Sequence, residues 1–517
     1  MKKFISITVL CCSLSAVAQD TYMNEQTLNS SDDVIGTSRY VGMGGAMGAL
    51  GADISVIGWN PAGIGLYRKS DVALTFGGLW NKSVISEENR GKGTFDQIGF
   101  VYNFKTDSEI CPYVNFAFNY QKRKNFLSNF YADNPDLGGL SQMDQLAELA
   151  QSYVNVGYDP KDLLNLVGNI AYNNILPSYY DAQGNRQYNG VFNEYTHHSC
   201  GSLRGWDFNI STNVKDRLFL GLTFGLDNID YESWTKYYEE RQLGGTQSTY
   251  DGYSVATESR ITGYGFNLKF GGIVRPFEDN SFRVGFTVET PTWYKLKSSV
   301  NLGHVYYDMS NNTKTYSDGD EIFYDYKPYT PWKIRASMGS TIGNMFAWDV
   351  DYEFANYKGM TQRFYNGTKD AGMNQHIHNT LKGVHTIRAG VEVRPVSPLA
   401  FRLGYNFITS AYDSNAKFDQ TNLISDAIDY IPRTSYMITK PTHILALGMG
   451  YKWKNFYFDL AYKIRHQKAD FYAFDDSFTN PGRDFSTDNP TLENVKLAPV
   501  PVDLTRHSIS CTLGFKF

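Results

Sequence analysis

The sequence predicts an all-β protein: a transmembrane antiparallel β-barrel of about 14 strands, with an N-terminal luminal hatch and helical outer loops. Three observations support this fold class. Apolar and polar residues alternate in many short runs, short and long connections follow one another in turn, and aromatic residues make up 15% of a chain whose mean hydropathy is −0.39. Alternating strands and aromatic girdles raise the Tyr and Phe content of such barrels without any long apolar run.

The C-terminal run shows the alternation most clearly. Its sequence is HSISCTLGFKF, and the apolar side chains share one parity: Ile509, Cys511, Leu513, Phe515 and Phe517. A period of two is that of a β-strand with one apolar and one polar face. A chain that ends in Phe on such a strand resembles the bacterial outer-membrane barrels.

Fourteen alternating runs can be counted along the chain. They cover residues 72–76, 98–104, 114–120, 205–213, 217–228, 263–275, 281–290, 332–342, 345–355, 384–394, 398–408, 442–453, 455–465 and 507–517. The number is even, as is typical of bacterial single-chain barrels.

The connections between these runs predict the orientation of the barrel. Short turns alternate with long loops, which lie near 83–94, 122–203, 231–261, 292–331, 357–382, 409–440 and 467–505. Outer-membrane barrels have short periplasmic turns and long extracellular loops. We therefore expect the short turns to face the periplasm.

The N-terminal residues predict export from the cytoplasm. Lys2 and Lys3 precede an apolar stretch that ends in Ala16-Val17-Ala18, which is typical of a signal peptide and its cleavage site. We therefore predict a signal peptide at 1–18, a hatch at 19–69 and a transmembrane barrel at 70–517, in the bacterial outer membrane. The range 122–203 is predicted to be a long helical extracellular loop.

Strand parity predicts a charged lumen. The side chains that point inward include both acids and arginines: Asp349, Asp351, Glu353, Arg283, Arg335, Arg388 and Arg402. Charges of both signs can pair, which fits a plugged or narrow interior better than a wide pore.

A glycine-rich stretch before the first strand, YVGMGGAMGALGADISVIGWNPAGIGLY, is the most distinctive part of the sequence. A dinucleotide-binding fingerprint would need a third glycine where Met47 stands, and no strand precedes the stretch. Its small residues allow tight packing in a confined space, so the lumen of the barrel is its expected location. The alternative is a flexible lead-in to the barrel.

The same stretch resembles the N-terminal hatch of the FadL/TodX family of outer-membrane transporters for hydrophobic molecules. The residues that carry the resemblance run from the glycines to an Asn-Pro-Ala sequence: Gly44, Gly45, Ala46, Ala52, Asp53, Asn60, Pro61, Ala62 and Gly63. The resemblance implies a fourteen-stranded barrel plugged by this hatch. It also implies a kink in the third strand that opens the wall sideways, although the run Val114–Tyr120 contains no Pro or Gly to place it.

The function that the resemblance implies is inward passage of hydrophobic small molecules by diffusion past the hatch. Two alternatives stay open: a FadL-like barrel that serves a secretion or assembly machine as a carrier of secreted proteins, and an outer-membrane hydrolase. The expected partners are outer-membrane lipid, lipopolysaccharide and a hydrophobic ligand. We expect a monomer, and the net charge of −5 gives no reason to expect nucleic acid binding.

Two helical patterns in the longest loop are candidates for a ligand groove. Apolar residues recur there at spacings of three and four: Met143, Leu146, Leu149 and Tyr153 in the first pattern, and Leu163, Val167 and Ile170 in the second. Such helices could form an apolar groove for a hydrophobic ligand. Equally, they could pack on each other and cap the barrel.

The sequence predicts no catalytic residue, metal site or cofactor. The pairs His197-His198 and His376-Ile377-His378 lie in predicted loops with no Cys, Asp or Glu at ligand spacing. A Gly-x-Ser-x-Gly elbow is absent from the sequence.

Overall fold

A computed structural model describes residues 33–81, 91–155, 157, 159, 161, 188–243, 250–277, 281–308, 313–413, 416, 434–476 and 496–517. The predicted signal peptide lies outside these residues. None of the described helices is long and apolar enough to cross a membrane.

The described chain is dominated by one antiparallel sheet of nineteen strand segments. They are β1 (Asp71–Asn81), β2 (Lys92–Lys105), β3 (Tyr113–Asn125), β4 (Ser128–Asn134), β5 (Tyr188–Val214), β6 (Leu218–Leu243), β7 (Tyr250–Val274), β8 (Arg283–Glu289), β9 (Trp293–Asp308), β10 (Thr313–Tyr329), β11 (Lys333–Ile342), β12 (Phe346–Asn356), β13 (Thr361–Phe364), β14 (Gly383–Val393), β15 (Leu399–Ile408), β16 (Tyr436–Trp453), β17 (Phe456–Tyr472), β18 (Val500–Asp503) and β19 (Arg506–Lys516).

The nineteen segments form a closed barrel of fourteen strands, because five strands are each interrupted once. The interrupted strands are β3 with β4, β8 with β9, β10 with β11, β12 with β13, and β18 with β19; for example, β3 and β4 both pair with β5. The ring closes between the first and last strands, where Val72 faces Phe515. The predicted fold class and strand number are confirmed.

The two faces of the barrel follow the predicted parity. On β16, Leu445, Leu447 and Met449 are exposed on the outer face, whereas Ala446 is buried on the inner face. The inward acids on β12 are buried as well. A closed barrel with an apolar outer band is the architecture of bacterial outer-membrane proteins. The protein is therefore an outer-membrane barrel.

Three strands extend well beyond the predicted bounds. β5, β6 and β7 contain 27, 26 and 25 residues, whereas about 9–11 residues span the membrane. Residues predicted as loop at both ends of 122–203, and at 231–243 and 250–261, are therefore strand. The prediction missed them because strands beyond the membrane have no lipid-facing side, so the apolar alternation ends although the main-chain pairing continues.

Helices are few in the described chain. They are α1 (Ser38–Gly42), α2 (Gln142–Asn155) and α3 (Ala371–Thr380), with 3₁₀ turns at Ile54–Gly58, Pro61–Leu66 and Tyr357–Gly359. The first helical pattern of the longest predicted loop corresponds to α2. The second pattern lies outside the described residues. α3 was not predicted; its N-terminus is capped by Asp370, whose carboxylate accepts from the Met373 N–H at 3.0 Å.

Candidate functional site

Residues 33–69, here called the luminal segment, are enclosed by the barrel wall. Most of their side chains are buried, and their apolar residues pack in clusters with residues of the wall. Ile54 and Ile57, for example, belong to one cluster with Val101 of β2 and Ala117 of β3. The small-residue stretch thus lies in the lumen, in close contact with the strands.

Two inward aspartates hold the glycine-rich part of this segment. Asp351 accepts hydrogen bonds from the N–H groups of Met47 and Gly48 at 3.2 Å, and Asp349 accepts from the next two N–H groups at 3.0 and 2.6 Å. A Cβ on Gly48 would lie 2.5 Å from the Asp351 carboxylate. Glycine is therefore needed where the backbone approaches the acid so closely.

The Asn60-Pro61 pair joins two parts of the luminal segment to each other. The Asn60 amide donates to the Gly48 carbonyl at 2.8 Å, and its Oδ1 atom accepts from the Ala62 N–H at 3.1 Å. Pro61 occupies the first turn of the 3₁₀ helix that follows. On the wall, a Cβ at Gly221 would lie 2.3 Å from the Pro61 carbonyl carbon. The wall is thus shaped to fit this pair.

The remaining motif residues have local structural roles. Asp53 caps the turn Ile54–Gly58 through the Ser55 N–H at 3.0 Å and accepts from the Thr37 hydroxyl at 2.8 Å. Gly44, Gly45 and Ala52 have positive φ angles. Ala46 and Gly63 are buried. The motif therefore determines the path of the chain.

Arginines of the wall also bind the luminal segment. Two of them lie over the ring of Trp59, with the guanidinium carbons of Arg335 and Arg388 at 4.3 and 3.4 Å from its centroid. Arg39 of the luminal segment pairs with Glu392 at 3.1 Å. Buried cation–π and ion pairs of this kind hold the segment from several strands at once.

The first described residue, Asp33, is anchored to the last strands. Its carboxylate pairs with Lys463 of β17 at 2.9 Å and with Arg506 of β19. Burial disfavours its charge, but Lys463, Arg506 and Arg465 together hold the pKa of Asp33 well below its usual range. This carboxylate is therefore ionised in the folded protein at neutral pH.

Above the luminal segment lies a cavity of about 240 Å³. Apolar and aromatic side chains make up much of its wall, among them Phe126, Phe130, Tyr195, Met437 and Phe471. Three cations also line it, Lys124, Arg465 and Arg506, together with the carboxylate of Asp503. The cavity is suited to a mainly apolar molecule.

A smaller cavity of about 30 Å³ lies next to it, between the luminal segment and the wall. Asn125 and Arg506 line both cavities. The Arg506 guanidinium donates to the Asn125 carbonyl at 2.9 Å. Arg506, already bound to Asp33, therefore stands between the two spaces.

The smaller cavity adjoins an irregular part of the wall. Pairing between β2 and β3 ends at Gln97 and Gln121, and a bulge lies between Lys122 and Lys124 where β3 pairs with β5. Asp96 is the extra residue of a bulge opposite β1. Beyond Gln97 and Gln121, main-chain pairing does not join β2 to β3 among the described residues.

Side chains bridge this stretch instead. The Lys122 ammonium lies 3.6 Å from the Asp96 carboxylate, and both residues are largely buried. The residues from Gln121 to Asn125 are all buried, although strand alternation would expose every second one. β3 thus stays paired with β5 as far as Asn125 but separates from β2 after Gln121. We call the unpaired stretch, 92–96 against 122–125, the β2–β3 gap.

Comparison with known proteins identifies the fold. Neither a protein-family model nor a curated protein matches the sequence. The crystal structure of a Pseudomonas aeruginosa FadL homologue matches with 12% identity and a TM-score of 0.50, over 94% of this chain and 100% of that one. The chain has the FadL fold.

Two further solved structures match at similar levels. The P. putida toluene transporter TodX is 10% identical with a TM-score of 0.49, over 94% of this chain and 99% of that one. The CymD monoaromatic hydrocarbon channel is 10% identical with a TM-score of 0.48 over the same shares. The family resemblance read from the hatch motif is confirmed at the level of the FadL fold.

In this FadL-type barrel, the predicted groove residues of α2 belong to a large hydrophobic cluster. Met143, Leu146 and Tyr153 are buried there, and none of them lines the 240 Å³ cavity. At the start of α2, the Gln142 N–H donates to Glu239 of β6 at 3.0 Å. The side chain of Leu149, and residues Leu163, Val167 and Ile170, lie outside what the structure describes. The ligand groove stays a prediction.

The two histidine pairs lie in regular elements of the FadL-type barrel rather than in loops. His197 and His198 belong to β5, and His376 and His378 belong to α3. Within the described ranges, no three His, Cys, Asp or Glu residues are grouped to hold a metal ion.

Proposed function

We propose that this barrel passes hydrophobic small molecules inward across the outer membrane by diffusion. The observation that carries the proposal is the 240 Å³ cavity, which adjoins the β2–β3 gap through the smaller cavity. An apolar molecule leaves water in the larger cavity and reaches lipid through the gap. Transfer of apolar surface from water to hydrocarbon is favourable by about 25 cal/mol per Å², so no nucleotide is needed.

The contacts of the luminal segment support a sideways route. A path straight through the barrel would break the bonds of Asp349 and Asp351 to its backbone and displace Trp59 from its two arginines. A path through the gap would move Arg506, Lys122 and Asp96 and leave those contacts in place. The molecule would then pass beside the luminal segment rather than displace it.

The charges of the cavity support a particular kind of ligand. Three cations and one carboxylate line this space, together with apolar, aromatic and uncharged polar side chains. A long apolar body with one anionic end would place its chain against Phe126 and Phe130 and its charge near Arg465. An interior cavity of this kind is not needed by a carrier of secreted proteins, so it favours passage over that alternative.

Closing the gap tests the route. We would introduce Asp96→Cys and Lys122→Cys after replacing the three cysteines beyond the predicted signal peptide, Cys111, Cys200 and Cys511, by Ser. A short, reductant-cleavable bismaleimide would then join the two positions. The expected result is loss of radiolabelled oleate uptake by cells that express the barrel, with recovery after reduction.

The matched control joins two strands whose pairing is intact. Ser233 of β6 faces Ser259 of β7, with their hydroxyl oxygens 2.7 Å apart. The double cysteine variant at these positions should retain uptake with the same reagent. Undiminished uptake by the cross-linked gap variant would show that the route is not lateral.

A substitution at Arg465 tests whether the cavity prefers a ligand with an anionic end group. Its guanidinium donates to Gln467 at 3.2 Å and lines the larger cavity. Arg465→Gln should weaken oleate binding about tenfold, because one hydrogen bond to a charged group is lost. Binding of oleyl alcohol should not change. Equal losses for both probes would contradict a role in recognising an anion.

A further inference from the structure

Three tyrosine–histidine pairs lie on the outer surface of the barrel. The hydroxyl of Tyr352 is 2.7 Å from Nδ1 of His385, that of Tyr405 is 2.8 Å from Nδ1 of His443, and that of Tyr462 is 2.7 Å from Nδ1 of His507. They join β12 to β14, β15 to β16, and β17 to β19. Neither the cavities nor the luminal segment involves these six residues.

The three pairs repeat one arrangement. Each tyrosine faces an aliphatic residue of the next strand, Ile387, Leu445 or Ile509, and the histidine stands two positions before that residue. β14, β16 and β19 all run toward the periplasmic end. Each histidine therefore lies on the same outer face as its aliphatic neighbour and two residues farther from the periplasm.

The pairs also lie at one level around the barrel. On β17, the strand between them, His443 pairs with His466, whereas His507 pairs with Ile464, two residues closer to the periplasm. Next to β15, the His385 carbonyl accepts from the Thr409 N–H, whereas His443 pairs with Phe407, again two residues closer to the periplasm. A constant offset per two strands is what strand tilt produces in a barrel. The pairs thus form part of a ring.

This ring marks the upper border of the lipid-facing band. The aliphatic neighbours below it are about half exposed, at 46–48%, as lipid-facing side chains are. An aromatic ring lies beside each histidine, with centroid distances of 5.1 Å for Phe354 and His385, 5.3 Å for Phe407 and His443, and 5.7 Å for Trp80 and His507. The sites therefore combine a polar group with a flat apolar face.

The hydrogen bond with the tyrosine occupies Nδ1 of each histidine, so Nε2 is the nitrogen that can bind another group. A tyrosine hydroxyl that donates to Nδ1 leaves the proton of the neutral imidazole on Nε2. No hydrogen bond to Nε2 of these three histidines is formed by the described residues. In this tautomer, each pair presents one N–H donor at the level where lipid headgroups begin.

We propose that the three Tyr–His pairs bind the phosphate groups of lipid A, the glycolipid anchor of lipopolysaccharide in the outer leaflet. Phosphate oxygens accept from Nε2–H in a charge-assisted hydrogen bond. The glucosamine ring of the lipid packs on the neighbouring aromatic side chain. The acyl chains lie along the exposed aliphatic residues below.

The test compares lipid A with its dephosphorylated form. The full chain in detergent would be titrated with each lipid, and bound lipid would be counted by native mass spectrometry. His385→Gln, His443→Gln and His507→Gln together should weaken binding of diphosphorylated lipid A about tenfold per site. Binding of the dephosphorylated lipid should stay the same. His378→Gln, an exposed histidine of α3, is the matched control and should bind like the unmodified chain.

A second variant keeps the test decisive if the triple His variant fails to fold. Tyr352→Phe, Tyr405→Phe and Tyr462→Phe together keep the rings but remove the hydroxyls that orient the imidazoles, so weaker lipid A binding is again expected. Equal binding of both lipids to the unmodified chain would overturn the proposal, as would full binding by the triple His variant. Competition by inorganic phosphate at the lipid concentration would show a simple anion site and would overturn it as well.

Discussion

The ammonium nitrogen of Lys122 lies 3.6 Å from the carboxylate of Asp96, where main-chain pairing between β2 and β3 has ended. In a regular barrel, backbone hydrogen bonds would close the wall at this level. Here one ion pair spans it. A side-chain contact can open and close by rotamer changes, which a backbone ladder cannot do.

Breaking this pair should loosen the β2–β3 gap. Lys122→Met leaves Asp96 buried without that cation, and loss of one partner of a buried pair costs about 3–5 kcal/mol. The double variant Asp96→Asn/Lys122→Met should be closer to the unmodified chain in stability. Both variants should take up radiolabelled oleate faster. Thermal unfolding and uptake rates are the measurements, and slower uptake by the double variant would show that the pair does not restrain passage.

A single methyl group at Gly221 should disturb the luminal segment. Its Cβ would lie 2.3 Å from the Pro61 backbone, so Gly221→Ala should destabilise by about 1–3 kcal/mol through overpacking. Gly93→Ala on β2 is the control, because its Cβ would meet nothing within 4 Å. Thermal unfolding in detergent measures both. Similar melting temperatures for the two variants would mean that the wall does not hold Pro61 tightly.

Removal of the luminal segment should create an ion channel. The cavity between it and the wall, of about 30 Å³, is near the size of a single water molecule. The native barrel should conduct little in a planar bilayer, and deletion of residues 34–58 should give stepwise conductance. Asn60-Pro61→Gly-Gly should give brief openings. A folded deletion variant that conducts no more than the native barrel would show that the segment is not a plug.

Acid should release the first part of the luminal segment. The pKa of Asp33 is lowered in the folded state, so its ion pairs contribute stability above its unfolded pKa of about 3.9 and lose it as the pH falls further. Conductance should therefore rise below about pH 4. Asp33→Asn should show the same rise at pH 7. Asp107→Asn, an exposed residue of the β2–β3 turn, is the control and should keep the native pH profile.

The sequence predicted the membrane-spanning part well, because lipid on one side and a polar lumen on the other impose a period of two on every strand. β5 and β6 beyond the membrane escaped the prediction because no such contrast exists there. The family resemblance implied an opening at the third strand, but the sequence analysis did not place the β2–β3 gap, since loss of backbone pairing is not itself a hydropathy pattern. A signal was present in Gln121-Lys-Arg-Lys-Asn125, where the alternation of β3 gives way to a polar run.

The sequence predicted where the motif residues lie, but not which residues of the barrel wall bind them. The small residues and Asn60-Pro61 placed the chain in the lumen. Asp349 and Asp351, which hold that chain, stand about 300 positions away, and no local pattern links them to Met47–Leu50. Likewise, helical spacing indicated that Met143 and Leu146 share one face. It could not say whether a ligand or the protein itself covers that face.

The hydroxyl of Ser38 donates to Ser510 at 3.0 Å, and its N–H donates to Thr512 at 2.7 Å, so the start of the chain binds the strand that closes the ring. The same segment is bound by β12 in the middle of the sequence. Because these contacts join residues that are synthesised far apart, their formation is a late event in folding. Docking of the segment and closure of the ring then become one step. During assembly, the luminal segment must therefore lie inside the curved, still open sheet when the final strand arrives.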